Sequence, residues 1–465
     1  MTDLRTLAGS SVFPVAERGA VLAPPRGDIL PLLSSPLLRR SSTVSAVDRR
    51  ATWLAWALAA ALPLSCQTFQ YIVDVPPAYA LTKIWPLLVL PLAVWGAVRL
   101  ALPYRSLLIF TLAWIIGASP LIGIVDLGND LSGALATTVK VWSFDAALAV
   151  PALLLLLKPS PATLARVLMG LGATTYGVMA LLWLVVPRRL FEIDSDQVKL
   201  FTYDIERGYH IYMPMFFGIL LPFLLNRSFW LRPRLWKLLS LCACFALLLT
   251  IYKERTVIYG AAAIVLFGAI QSLPSRRSQL LTGAAVVITG APLLWLWIHA
   301  SHLQQSLGGS LTTRQVELSK ALDFLNAEPH RWLIGAGSAT RVGDISLADI
   351  VGTPTFFLAD LGWVGVVFEY GLVGAALLLA LHLAGLKLAW RAAQRRDPLA
   401  RAVLDYVAFV LLVSPVLPVT FLPGEFSTCI AIAWYILRGD QTWNVAPDRP
   451  VVPMNARDRH ARESN

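Results

Sequence analysis

The sequence predicts an all-α fold, a polytopic integral membrane protein with about twelve transmembrane helices and one large outer loop. Three observations predict it. The chain is 57% hydrophobic and only 14% charged, far from the composition of a soluble domain. Several runs of about 18–20 residues carry almost no charge, enough to cross a bilayer as helices. Lys and Arg recur in every second turn between those runs, as expected of turns held on the cytoplasmic side.

Residues 1–50 read as a polar, Pro- and Ser-containing cytoplasmic tail, mostly disordered. They hold no apolar core before Ala51, so a cleavable signal peptide is not expected. Residues 51–298 hold nine spans, near 51–72, 84–102, 106–125, 141–157, 167–187, 209–225, 238–252, 256–273 and 280–298. Residues 299–361 form the large outer loop. Residues 362–437 hold spans near 362–384, 402–420 and 426–437, and 438–465 form a second cytoplasmic tail.

Orientation rests on Arg105, on Lys158 and Arg166, on Arg227, Arg232, Arg234 and Lys237, on Arg276 and Arg277, and on the run from Lys387 to Arg401. These basic turns also account for the net charge of +11, so nucleic acid is not needed as a partner. Cys66, Cys242, Cys244 and Cys429 lie in or beside apolar runs, without the spacing of a zinc site or a disulfide framework. They read as small buried hydrophobes.

With no sizeable cytoplasmic domain, chemistry is expected at the outer face. Arg314 opens an amphipathic run with Val316, Leu318, Ala321, Leu322 and Leu325 at helical spacing. A cation near a helix N-terminus opposes the helix dipole, which hints at a use other than solvation. Pro329 stops the run, and Gly335 and Gly337 permit a tight turn able to approach a ligand closely. Arg255 stands with Lys253 and Glu254 at the outer turn of a helical hairpin. It reads either as an ordinary polar turn or as a cationic lining for an anion. Arg188, Arg189, Arg207 and Arg341 are further outer cations suited to a polyanionic ligand. Asp360, at the mouth of an apolar helix, fits two roles. It is a good N-cap by type, or a general base, although a carboxylate of pKa about 4 is a weak base unless burial raises it. His330 is the rival base or a plain polar loop residue, with His210, His299 and His302 weaker rivals.

The order Arg314, Pro329, Gly335-x-Gly337, Asp360, Trp363, then Glu369-x-Gly371-x-x-Gly374, resembles the O-antigen ligase and polymerase family of bacterial envelope enzymes. The residue-level likeness covers roughly 245–385; elsewhere only the layout of spans is similar. Two positions depart from the family pattern. Glu254 stands where a Ser usually precedes the Arg, and Asp360 stands where the ligase branch commonly places His.

The resemblance implies a glycosyltransferase of the inner membrane acting at the periplasmic face. Its donor would be a glycan on undecaprenyl diphosphate, and its acceptor another lipid-linked repeat unit, with inversion at the anomeric carbon. Arg255 and Arg314 would hold the diphosphate, with Gly335, Gly337, His330, Arg188 and Arg189 as further substrate contacts, and Asp360 would serve the acceptor hydroxyl. Membrane lipid, a chain-length regulator and a flippase of the same pathway are the implied partners. No cofactor or metal is expected: the chain has no Walker-type loop, no His-Glu-x-x-His and no Gly-x-Ser-x-Gly. Asp in place of His favours a polymerase over a ligase that transfers to lipid A-core. A transporter or flippase of about twelve spans is the alternative from another class; it would place charged or broken helices at the midplane.

Overall fold

The computed structural model describes residues 41–69, 72–73, 75–193, 200–204, 207–212, 215–285, 301–337, 347, 351–352, 356, 358–420 and 423–443. Within these residues the chain is mostly helical. Six helices are long and apolar enough to cross a membrane: α2 (Pro76–Arg99), α3 (Arg105–Leu127), α4 (Leu131–Leu157), α5 (Pro161–Val185), α7 (Leu235–Tyr252) and α11 (Gly362–Ala393). Shorter apolar helices are Thr52–Ser65, the second half of α1 (Ser41–Ser65), with α6 (Met215–Leu231) and α8 (Arg255–Gln271). Two outlying helices, α9 (Ser301–Ala327) and α10 (Pro329–Ile334), precede α11, and α12 (Pro398–Val413) and α13 (Pro423–Trp443) follow it. These apolar helices make the protein membrane-embedded. The expected span near 280–298 falls mostly outside the described residues.

Several helix ends follow from local chemistry. Asp130, Ser160 and Asp397 cap α4, α5 and α12, each side chain accepting a bond from a backbone N–H two or three residues on. Pro161 and Pro398 open their helices at the first position, where a missing N–H costs nothing. Gly128 ends α3 in the left-handed conformation. The span expected at 141–157 begins earlier, at Leu131, because Asp130 caps it and a 3-10 segment, Val139–Asp145, carries the chain onward.

The helices pack in two groups. One is α2, α4 and α13; the other is α5, α6, α8 and α12, with α11 packed against both α12 and α13. One end of this bundle is rich in loops. A small sheet stands there, with β1 (Glu192–Ile193) parallel to β2 (Phe201–Asp204) and β2 antiparallel to β3 (Gly208–Ile211). Strand β3 packs on the π-helical last turn of α7, Leu248–Tyr252. The run predicted as membrane span from 209 is therefore strand up to Ile211, and its helix begins at Met215.

Helices α9 and α10 complete the same end. The amphipathic run belongs to one long helix, and a short helix opens at Pro329. Arg314 therefore sits in mid-helix, not near an N-terminus, and the dipole argument does not apply to it. The buried face also differs by one position. Glu317, Ala321 and Leu325 face inward, whereas Val316 is exposed. Arg314 shares that inward face, three residues before Glu317. Ala321 and Leu325 join Ala336, Phe356, Leu361 and Phe368 in a separate apolar cluster under the loops.

Helix α11 is broken. Gly371 has φ +66° and ψ −178°, so residues 362–370 and 372–393 are two helical segments. The carbonyls freed by the break find tertiary donors. Ala336 N–H donates to Phe368 O at 2.7 Å, and Trp114 Nε1 donates to Tyr370 O at 2.9 Å.

Candidate functional site

Arg207 is the hinge of the site. It lies in the β2–β3 turn, and its guanidinium bridges Asp204, at 2.9 Å, and Glu254. Burial opposes its charge, but Glu254 and Asp204 outweigh burial and hold Arg207 above its usual range. Glu254 thus offsets Arg207 and not its neighbour Arg255. Lys253 adopts a left-handed turn, φ +61°, and donates to Arg207 O at 2.9 Å. Burial and the nearby Arg188 push the Lys253 ammonium below its usual range.

Arg255 is the first residue of α8 and is exposed. With Arg207, Lys253, Leu249, Ile258 and Tyr259 it lines an open pocket of about 290 Å³. The N-terminus of α8 adds unpaired N–H groups and the positive end of a helix dipole. Arg188 joins this group from the other side. Its guanidinium lies 3.8 Å over the Trp183 ring, and the Lys253 Nζ is 5.9 Å from the same ring. Among the described residues, four cations, Arg188, Arg207, Lys253 and Arg255, therefore gather against two carboxylates, Asp204 and Glu254. The excess of positive charge suits a phosphate or diphosphate. Arg189 is exposed beside Arg188.

A second cluster lies, like the first, within electrostatic range of Tyr212. Arg314 Nη2 stands 3.6 Å from Asp360 Oδ1, with the side chains 35% and 42% exposed. The two predicted residues, 46 positions apart in the chain, are brought together. Asp360 does not cap α11. It ends a 3-10 turn, Leu358–Asp360, and Leu361 occupies the cap position with no side-chain bond. The cap reading is thereby corrected, because the 3-10 turn turns the Asp360 side chain toward Arg314. Tyr212 links the clusters. Burial first, then Glu254, raises its phenol pKa; Arg207 opposes, and Asp360 raises it further. Its ring lies 6.1 Å from that of Tyr252.

His330 is not beside Asp360. Its Nε2 lies 3.5 Å from Asp126 and its Nδ1 3.4 Å from Glu328, and Arg331 Nε donates to Asp126 at 3.0 Å. These contacts dock α10 onto the end of α3. The rival base is thus engaged in anchoring. His210 is buried, its pKa pushed down by that burial, and its ring nitrogen contacts Gly208 O at 3.0 Å. His299 and Arg341 lie outside the described residues, as does the side chain of His302.

The glycines turn tightly, as expected, but toward the protein itself. Gly335 has φ +77°, and a Cβ there would come within 2.6 Å of Gly371 N and 2.7 Å of Glu369 O. Gly337 has φ +84°, and its Cβ would meet Gly123 and Ser119 backbone. Their close approach seats the loop on the α11 break and on α3.

Tyr212, Trp183 and Asp126 were not singled out from sequence. None carries a motif, and each has a partner distant in the chain: Tyr252 for Tyr212, Lys253 for Trp183 and Arg331 for Asp126. No family model matches the chain, and no curated protein matches it.

Proposed function

We propose that this protein is a polysaccharide polymerase, an inverting glycosyltransferase that joins lipid-diphosphate-linked repeat units at the outer face of the membrane. The observations that support it best are the cationic pocket of Arg207, Lys253 and Arg255 and the Arg314–Asp360 pair, both within electrostatic range of Tyr212. The pocket and the α8 N-terminus take the donor diphosphate and stabilise its charge as it leaves. Apolar Leu249 and Tyr259 at the pocket edge are exposed, as a lipid-linked ligand requires. The acceptor hydroxyl oxygen attacks the anomeric carbon, the bond from that carbon to the diphosphate oxygen breaks, and the hydroxyl proton passes to Asp360. The Arg314–Asp360 pair is loose and part-exposed, so substrate can displace either partner from it. Basic turns at the opposite end of the bundle support an outer position for the loop-rich end.

A second reading is transport of a lipid-linked anion. The break at Gly371 with the Lys140–Glu369 ion pair beside it favours this reading. One assay separates the readings. Purified protein in lipid is given a lipid-linked repeat unit, and chain length is measured on the carrier. Polymer from wild type, abolished in Arg255→Ala and Arg314→Ala at normal protein level, supports the polymerase. Flipping without polymer supports transport. Transfer of preformed chains to lipid A-core supports the ligase alternative.

A further inference from the structure

We infer that Lys83 and Lys140 form a second phosphate-binding site, which takes the diphosphate of the acceptor lipid. The assignment of the ligand rests on the polymerase reading; the site itself does not.

Three charges stand at similar depth. Lys83 stands seven residues into α2, Lys140 nine into α4 and Glu369 seven into α11. At about 1.5 Å per residue this is roughly 10–14 Å below the helix starts at the loop-rich end. Helix α2 packs on the 3-10 segment that carries Lys140, and Lys83 lies within electrostatic range of Lys140. Lys140 pairs with Glu369, whose side chain is 4% exposed against 35% for Lys140. Among the described residues Lys83 has no carboxylate within 4.0 Å. Its described neighbour is the Tyr79 ring, whose centroid is 5.3 Å from Nζ.

Among the described residues, two cations therefore share one carboxylate inside the apolar belt. An uncompensated ammonium at that depth is costly unless it reaches water or meets an anion. The Lys140 side chain keeps a free flank, and Lys83 adds the excess charge. The matching ligand is a phosphate, from a polyprenyl diphosphate or from a bilayer phospholipid. A polymerase must hold two lipid diphosphates at once. The Arg255 pocket holds one, and the Lys83–Lys140 pair is suited to the other.

The test uses the full chain in nanodiscs of phosphatidylcholine, titrated with a long polyprenyl diphosphate that carries no sugar, with bound copies counted by native mass spectrometry. Two bound per wild-type chain are expected. Lys83→Gln, which breaks no ion pair among the described residues, should weaken one of the two sites about tenfold, the loss of one charge-assisted contact. Lys83→Arg should retain both, and Arg255→Ala should lose the other site only. Unchanged two-site binding in Lys83→Gln would overturn the site, and Lys83 would be a lysine that merely reaches water. Displacement of the second copy by equimolar phosphatidylglycerol would assign the site to bilayer phospholipid and overturn the acceptor role. In the polymer assay, Lys83→Gln should raise the acceptor KM about tenfold with kcat kept. Absence of polymer from wild type would sink the polymerase reading while the binding result still decides the site.

Discussion

Two arginine–aspartate pairs stand at opposite ends of the bundle. Arg227 and Asp405, on α6 and α12, meet through two hydrogen bonds of 2.6 Å, with side chains 2% and 3% exposed. The rest of the guanidinium is also satisfied, by Gly268 O at 3.0 Å and Gln271 Oε1 at 2.9 Å. Gly268 makes room, since a Cβ there would lie 3.2 Å from Arg227 Cζ. The Arg314–Asp360 pair has one contact at 3.6 Å and is open to solvent. The same two residue types thus serve two purposes. A buried, saturated pair holds helices in register, and its partners have no capacity left for a ligand. A loose, exposed pair adds little stability and leaves both groups ready for substrate.

This contrast can be broken or sharpened by substitution. The largest effect is expected from Asp360→Asn. It should cut polymer formation about 10²–10⁴-fold, since Asn cannot take the proton. Its thermal unfolding should match wild type. An active Asn variant would remove Asp360 as base. Arg227→Ala should do the opposite, costing roughly 3–5 kcal/mol because Asp405 is left buried and unpaired. Denaturant unfolding in micelles measures that loss, and a wild-type midpoint would show the pair is dispensable. Gly371→Ala should cost about 1–3 kcal/mol, because only glycine takes that backbone conformation without strain, and its Cβ would strike Leu333 O. Thermal unfolding with tryptophan fluorescence reports it. The smallest effect is expected for Arg227→Leu with Asp405→Leu. Replacing both charges together should leave stability near wild type or raise it slightly, which single-site loss cannot do. A large loss in the double variant would mean that Gly268 and Gln271 carry the junction.

Membrane embedding was legible because apolar runs are local. Pro329 and the two positive-φ glycines were legible as a turn for the same reason. What the turn touches was not, because the Gly371 break lies 34 residues beyond Gly337. Asp360 shows the same limit. Its position before an apolar helix suggests a cap, yet a 3-10 turn displaces the cap to Leu361. Arg227 read as one more basic turn residue, and nothing local tied it to Asp405. Only the fold, which packs α6 against α12, pairs them.

That pairing has a consequence for how the chain is made. Arg227 and Asp405 are 178 residues apart. At synthesis rates of about 5–20 residues per second, α6 waits about 10–35 s for its partner helix. During that interval a guanidinium that the finished bundle keeps dry must stay in contact with water or lipid headgroups. Helix α6 is then held near the membrane surface or within the insertion machinery, and α12 completes its burial. A ribosome stalled before Asp405 would leave the second half of the bundle unassembled and exposed to proteolysis.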